Sequence, residues 1–135
     1  GVEHTICIPK QDSVETIREL TNGRMAEVVL EMSGANAAIR QTLDMVSHAG
    51  KIVLTGWPKG ETSLPTNIIT TKELDVLGGR DSAGEFEEAL ELIRSGKVNV
   101  RAVLSKVIKI DEVPEAVREL SDYPGRYLKI NALVD

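Results

Sequence analysis

The sequence has little of what chemistry is most often built from. Its 135 residues include one cysteine, one tryptophan, one phenylalanine, two tyrosines and two histidines. A lone thiol, Cys7, permits no internal disulfide and fits a reducing compartment, so a cytoplasmic setting is expected. His4 and Cys7 sit three apart on an expected strand, point to opposite faces and cannot share an ion. His48 falls near an expected helix end, where a solvated or capping role is usual. Nowhere do His, Cys and carboxylates take zinc-ligand spacing, so no metal site is expected within these residues.

Other absences exclude whole classes. A net charge of −5 with no basic stripe argues against nucleic acid, and 3% aromatic content removes a stacking platform for single strands. No apolar run approaches membrane-spanning length, and Gly1-Val2-Glu3-His4 does not read as a signal peptide, so no membrane partner is expected. Ser33 lies in Met-Ser-Gly-Ala and not in a nucleophile elbow, and Lys59-Gly60 lacks the glycines and hydroxyl of a phosphate loop. No catalytic residue is expected here.

What is present is ordinary globular material, 41% hydrophobic and 27% charged. Three apolar runs each end at glycine: Ala26 to Gly34, Lys51 to Gly56 and Glu73 to Gly79. Consecutive Val28, Val29 and Leu30 are the pattern of a parallel strand covered on both faces. Ile39, Leu43 and Val46 mark the buried face of a crossover helix between the first two, which Gly50 is expected to end.

The rest of the chain reads as alternating elements. His4–Ile8 is an expected strand closed by Pro9, and Asp12 with Glu15 has capping-box spacing for a helix stopped at Asn22-Gly23. Thr62–Pro65 is expected as a short extended edge, and Asn67–Thr71 as a brief helix at most. Phe86, Ala89, Leu90 and Ile93 form the clearest helical stripe. Val113, Ala116, Val117 and Leu120 repeat it, with Asp111 as the expected cap and Pro114 in the first turn. Tyr127–Val134 alternates like a strand with one polar face. The change from continuous to alternating strands sets an expected boundary between residues 1–79 and 80–135.

In doubly wound sheets ligands bind beyond the carboxyl ends of the strands. Ser33-Gly34, Thr55-Gly56-Trp57 and Gly78-Gly79-Arg80 occupy three such ends. A glycine at one strand end can serve only to turn the chain; three in succession point to a ligand edge, where backbone can approach a flat ring or ribose. Arg80, and Lys129 on the polar face of the last strand, could each neutralise a phosphate or simply join surface salt bridges. The carboxylates Glu85, Glu87, Glu88 and Glu91 read as a solvated face.

These residues carry a family resemblance. Val28-Val-Leu-Glu-Met-Ser-Gly-Ala35, His48-Ala-Gly-Lys-Ile-Val-Leu-Thr-Gly56, Lys72-Glu-Leu-Asp-Val-Leu-Gly-Gly-Arg80 and Gly125-Arg-Tyr-Leu-Lys-Ile130 follow in order. The series resembles the C-terminal portion of medium-chain zinc-type alcohol dehydrogenases, nearest the polyol (sorbitol-like) and threonine dehydrogenases. The resemblance implies an α/β fold: the later strands of a Rossmann-type doubly wound parallel sheet, then an α/β segment returning to the catalytic domain. It implies NAD or NADP and zinc in the whole enzyme, which would interconvert a secondary alcohol and a ketone.

By resemblance, Ser33 and Gly34 border the cofactor ribose, and Thr55, Gly56 and Trp57 flank the nicotinamide. Backbone groups of Val76 and Gly78 hold its carboxamide, Arg80 lies by the cofactor and Lys129 near the pyrophosphate. Glu61–Pro65 matches the segment through which cofactor domains pair across a dimer. Ser105-Lys106 departs from the family, standing where relatives often carry histidine.

The family sheet puts two further strands between His4–Ile8 and Ala26–Met32, so open sheet edges and self-association are expected here. The pyrophosphate site at the first helix lies outside these residues, which leaves weak dinucleotide binding and no activity as the expectation for this chain alone. Competing readings are a stand-alone α/β ligand-binding or interaction module without catalysis, and a zinc-free quinone reductase.

Overall fold

The computed structural model describes residues 2–8 and 10–134. They divide into two compact units, Gly1–Asp81 and Ser82–Asp135.

The first unit begins with α1, Ser13–Leu20, capped by Asp12, whose carboxylate accepts from the Val14 and Glu15 amides at 3.0 and 3.1 Å. Then come β1 (Ala26–Glu31), α2 (Asn36–Met45), β2 (Val46–Leu54), α3 (Thr66–Lys72) and β3 (Asp75–Gly78). The strands form one parallel sheet in the order β1-β2-β3. Val29 faces Ile52, which faces Val76, and the next rows run Leu30–Val53–Leu77 and Glu31–Leu54–Gly78.

Because side chains alternate along a strand, these rows lie on opposite faces in turn. Leu43 of α2, Val46 and Ile52 are fully buried, with Val29, Leu54, Leu64, Ile68, Ile69 and Leu74 packed around them. α2 and α3 therefore cover one face only. Val28, Leu30 and Leu77 on the other face are exposed, Leu30 at 61%. The expectation that consecutive apolar residues mean two covered faces is corrected: within the first unit neither α2 nor α3 packs over the second face.

Three boundaries also differ from expectation. His4–Ile8 is not a strand; the Lys10 and Gln11 amides turn back onto the Cys7 carbonyl. No described strand lies beyond β1 to pair with it, and Pro9, expected to close it, is outside the described residues. α2 does not run to Gly50: it stops at Met45, and Gly50 is buried inside β2. The end is set from a distance, since the Lys72 ammonium donates to the Leu43 and Val46 carbonyls at 2.7 and 2.9 Å. The extra residues are absorbed as an irregularity in the β1–β2 register, with Ala49 left-handed at φ 54°.

Thr62–Pro65 is not a strand either. The segment is tied to α2: Asn36 Nδ2 donates to the Glu61 carbonyl, Thr62 Oγ1 to Asn36 Oδ1, and Arg40 Nε to the Ser63 carbonyl. The helix expected at Asn67–Thr71 forms, slightly longer, as α3.

The second unit contains α4 (Phe86–Arg94), a 3₁₀ turn at Val100–Val103, β4 (Lys106–Lys109), a second 3₁₀ turn at Ile110–Glu112, α5 (Val113–Asp122) and β5 (Ile130–Leu133). β4 and β5 pair in parallel across α5, a second strand–helix–strand unit. β5 is shorter than the expected strand, and Leu128 and Val134 are exposed. Asp111 is not the cap of α5. It lies within the 3₁₀ turn, where Glu112 accepts from the Lys109 amide at 2.7 Å. The stripe of α4 forms as a helix, yet Phe86, Leu90 and Ile93 remain exposed.

Candidate functional site: the strand tips of the parallel sheet

The hydrogen-bond ladder runs on past the ends of the strands. The Thr55 and Gly56 amides both donate to the Glu31 carbonyl, at 2.8 and 2.9 Å, and the Gly79 amide donates to the Leu54 carbonyl at 3.0 Å. Parallel pairing in register thus delivers the three glycine-ended tips to one edge, because strands starting level also finish level.

The first two tips interlock. Gly34 is left-handed, with φ 68°, and a Cβ there would overlap the Trp57 backbone. A Cβ on Gly56 would strike the Gly34 backbone and come within 2.6 Å of Glu31 Oε2. Neither position has room for a side chain. Gly78 by contrast is open, with nothing near where a Cβ would sit.

Beneath the interlock lies a buried carboxylate. Glu31, 5% exposed, accepts from the Ser33 amide at 2.8 Å, from the Ser33 hydroxyl, and from the Gly34 amide at 3.1 Å. Burial pushes the Glu31 carboxyl up, but the bonds from Ser33 and Gly34 outweigh it and hold the pKa below the ordinary glutamate value. Sequence reasoning missed Glu31. The available signal was a carboxylate closing an apolar run, followed at once by small residues able to donate.

Two shallow cavities flank the tips and share Trp57 as a wall. One, of about 380 Å³, is lined by Ser33, Gly34, Ala35, Asn36, Trp57 and Lys59. The other, of about 310 Å³, is lined by Leu54, Thr55, Gly56, Trp57, Gly78, Gly79 and Arg80. Trp57 is 73% exposed, and the Arg80 guanidinium lies over its indole ring. Arg80 also approaches Asp81 at 3.4 Å, an exposed pair of small energetic weight.

Seven of the nine residues singled out from sequence therefore gather at this edge: Ser33, Gly34, Thr55, Gly56, Trp57, Gly78 and Arg80. Val76 sits two residues further in, paired with Ile52, and lines neither cavity. Lys129 belongs to the second unit, where its carbonyl accepts from the Ser105 amide at 2.9 Å.

A larger open depression, of about 630 Å³, adjoins the amino ends of β1 and β2 and is lined by Arg24, Glu27, His48 and Lys51 among others. Among the described residues no three His, Cys, Asp or Glu side chains assemble as metal donors. No described helix is long and apolar enough to cross a membrane.

Comparison with known proteins identifies the fold. The sequence profile of the family described as zinc-binding dehydrogenase matches residues 1–95. A zinc-type alcohol dehydrogenase-like protein of Haemophilus influenzae is 53% identical over 98% of this chain and 39% of its own length. The sorbitol dehydrogenase of Bacillus subtilis is 27% identical over 96% of the chain and 37% of the enzyme. Among solved structures, an Escherichia coli oxidoreductase/dehydrogenase of unknown specificity superposes with a TM-score of 0.91 at 21% identity, covering 99% of this chain and 39% of that one. The chain thus spans about two fifths of the length of these relatives.

Proposed function

The chain belongs to the zinc-binding dehydrogenase family, and from that premise we propose that its strand tips form the nicotinamide end of a dinucleotide site. The whole protein on this reading is a zinc-dependent NAD(P) alcohol or polyol dehydrogenase that reversibly oxidises a secondary alcohol to a ketone. These residues are its later cofactor-domain strands, followed from residue 80 by a segment of the catalytic domain. The observation that carries the reading is the gathering of the strand tips around Trp57, with cavities of about 380 and 310 Å³ that share it as a wall.

The group fits these residues. Gly34 and Ser33 border a ribose, Thr55, Gly56 and Trp57 flank the nicotinamide, and backbone groups of Val76 and Gly78 hold the carboxamide. Arg80 supplies positive charge towards the phosphates, and Lys129, in the second unit, is assigned a place near the pyrophosphate of the whole enzyme by family resemblance alone. When bound, the nicotinamide ring supplies the hydride acceptor. This chain's residues hold the ring flat against the sheet edge and keep water from one of its faces.

Zinc does not fit in the same way. The described residues offer no donor set, so no part of the metal chemistry is assigned to them. The chain alone is accordingly read as inactive and as a weak dinucleotide binder, with self-association through its open sheet edges.

The test is an NMR titration of NADH into the isotopically labelled chain. Saturable shifts centred on the amides of Gly34, Gly56, Trp57, Gly78 and Gly79 are expected. Shifts confined to the depression around Arg24 and His48, or none at all, reject the site.

A further inference from the structure

Glu31 carries a role that the cofactor contacts alone do not explain. A carboxylate at 5% exposure is costly to bury, and among the described residues no Lys or Arg ion pair compensates it. What compensates it is the turn after β1: two backbone amides and one hydroxyl converge on its oxygens. From above, Gly56 closes on the same carboxylate so tightly that a Cβ would come within 2.6 Å of Oε2. The backbone carbonyl of Glu31 meanwhile takes the Thr55 and Gly56 amides. One residue therefore grips the first tip through its side chain and the second through its backbone.

We infer that Glu31 is the positioning residue of the strand-tip edge, holding the Ser33-Gly34 turn against Gly56-Trp57 so that the two tips present one continuous surface to the ring and ribose. The inference rests on the proposed dinucleotide site and names the device that shapes it. Glu31 itself, buried beneath the glycines, positions and does not touch the ligand.

A corollary concerns Ser33. Its hydroxyl donates to Glu31 and accepts from the Ala35 amide at 3.1 Å, so its one proton and one of its two lone pairs are used inside the turn. Ser33 borders a ligand through its backbone position, and its hydroxyl serves Glu31.

The experiment compares the full chain with Glu31→Gln and Ser33→Ala by the same labelled NADH titration, well below the melting temperature of each variant. Glutamine keeps the length and one acceptor oxygen but loses the charge that both amides need. The expected result is NADH binding roughly tenfold weaker in Glu31→Gln and several-fold weaker in Ser33→Ala. The Ser33 and Gly34 amide resonances of Glu31→Gln should move upfield before any NADH is added.

A residue that only supported stability would lower the melting temperature and leave the affinity of the folded protein unchanged, and that outcome overturns the inference. If wild type binds NADH and both variants match it, the inference fails while the site stands. Should wild type itself not bind, the dinucleotide reading fails and the inference falls with it. Were Glu31→Gln not to fold, Ser33→Ala alone decides between the same outcomes.

Discussion

The guanidinium carbon of Arg80 lies 4.4 Å from the centroid of the Trp57 indole. The residue after the third strand tip thus stacks on the residue after the second, and the two cover the glycine edge from one side. An exposed cation–π pair is worth about 0.5–1 kcal/mol. Arg80→Ala should shift Trp57 emission, which is clean to read because the sequence holds one tryptophan. It should also weaken NADH binding by roughly tenfold, through loss of a charge-assisted contact to phosphate. Arg80→Lys should restore little of the emission shift, because an ammonium cannot stack. Unchanged fluorescence in Arg80→Ala would show that the pair does not persist in solution.

Gly56→Ala should destabilise the first unit by about 1–3 kcal/mol, since the new methyl meets the Gly34 backbone and the Glu31 carboxylate at once. Gly60→Ala is the control. Nothing lies near its Cβ position, and its change should stay within about 0.5 kcal/mol. Urea unfolding monitored at Trp57 separates the two.

Acid should act through Glu31 in one direction. Its folded-state pKa lies below the ordinary value of 4.5, so the unfolded chain takes up the proton first as pH falls. The stability that Glu31 contributes is complete above 4.5 and is lost on the acid side of that value, as pH drops through the depressed folded pKa. Glu31→Gln should remove that portion of the pH–stability curve. Glu85 and Glu119 are lowered too, which is why the variant must be compared with wild type at each pH. Parallel curves for the two proteins would refute the assignment.

Leu43, 2% exposed, fills the space between α2 and β2. Leu43→Ala should cost about 2–5 kcal/mol, whereas Leu30→Ala on the open face should cost far less, by thermal melting.

Open edges and an uncovered apolar face should make the chain associate. Sedimentation velocity is expected to show a coefficient that rises with protein concentration, reduced by Leu30→Lys, which puts a charge on the uncovered face. A single monomeric species throughout the range would contradict this.

Much of the fold could be read from residues near one another in the chain. Asp12 caps its helix as its spacing demands, and the Phe86 stripe forms a helix at the expected place. The failures share a cause. Gly50 looked like the end of α2, but a lysine far along the chain takes the terminal carbonyls first. His4–Ile8 has strand composition, yet a strand needs a neighbour to bond, and composition does not provide one. Thr62–Pro65 has the composition of an extended edge, yet Asn36 and Arg40 bond the polar groups of Glu61, Thr62 and Ser63.

The candidate site divides in the same way. Glycines at the ends of three apolar runs were visible, and so was the order in which they come. Glu31 is not legible as a site residue, because a single acidic residue in an apolar run has no meaning until its partners are known.

Local sequence by itself determined that three strands, each followed within a few residues by glycine, would alternate with helices, since periodicity and chain-reversing residues act over a few positions. Only the tertiary structure decided that the tips meet in one row, that Gly34 and Gly56 leave each other no room, and that a carboxylate lies beneath them. Those facts depend on register between strands some twenty residues apart, where hydrogen-bond geometry, and no single residue's preference, sets which atoms touch.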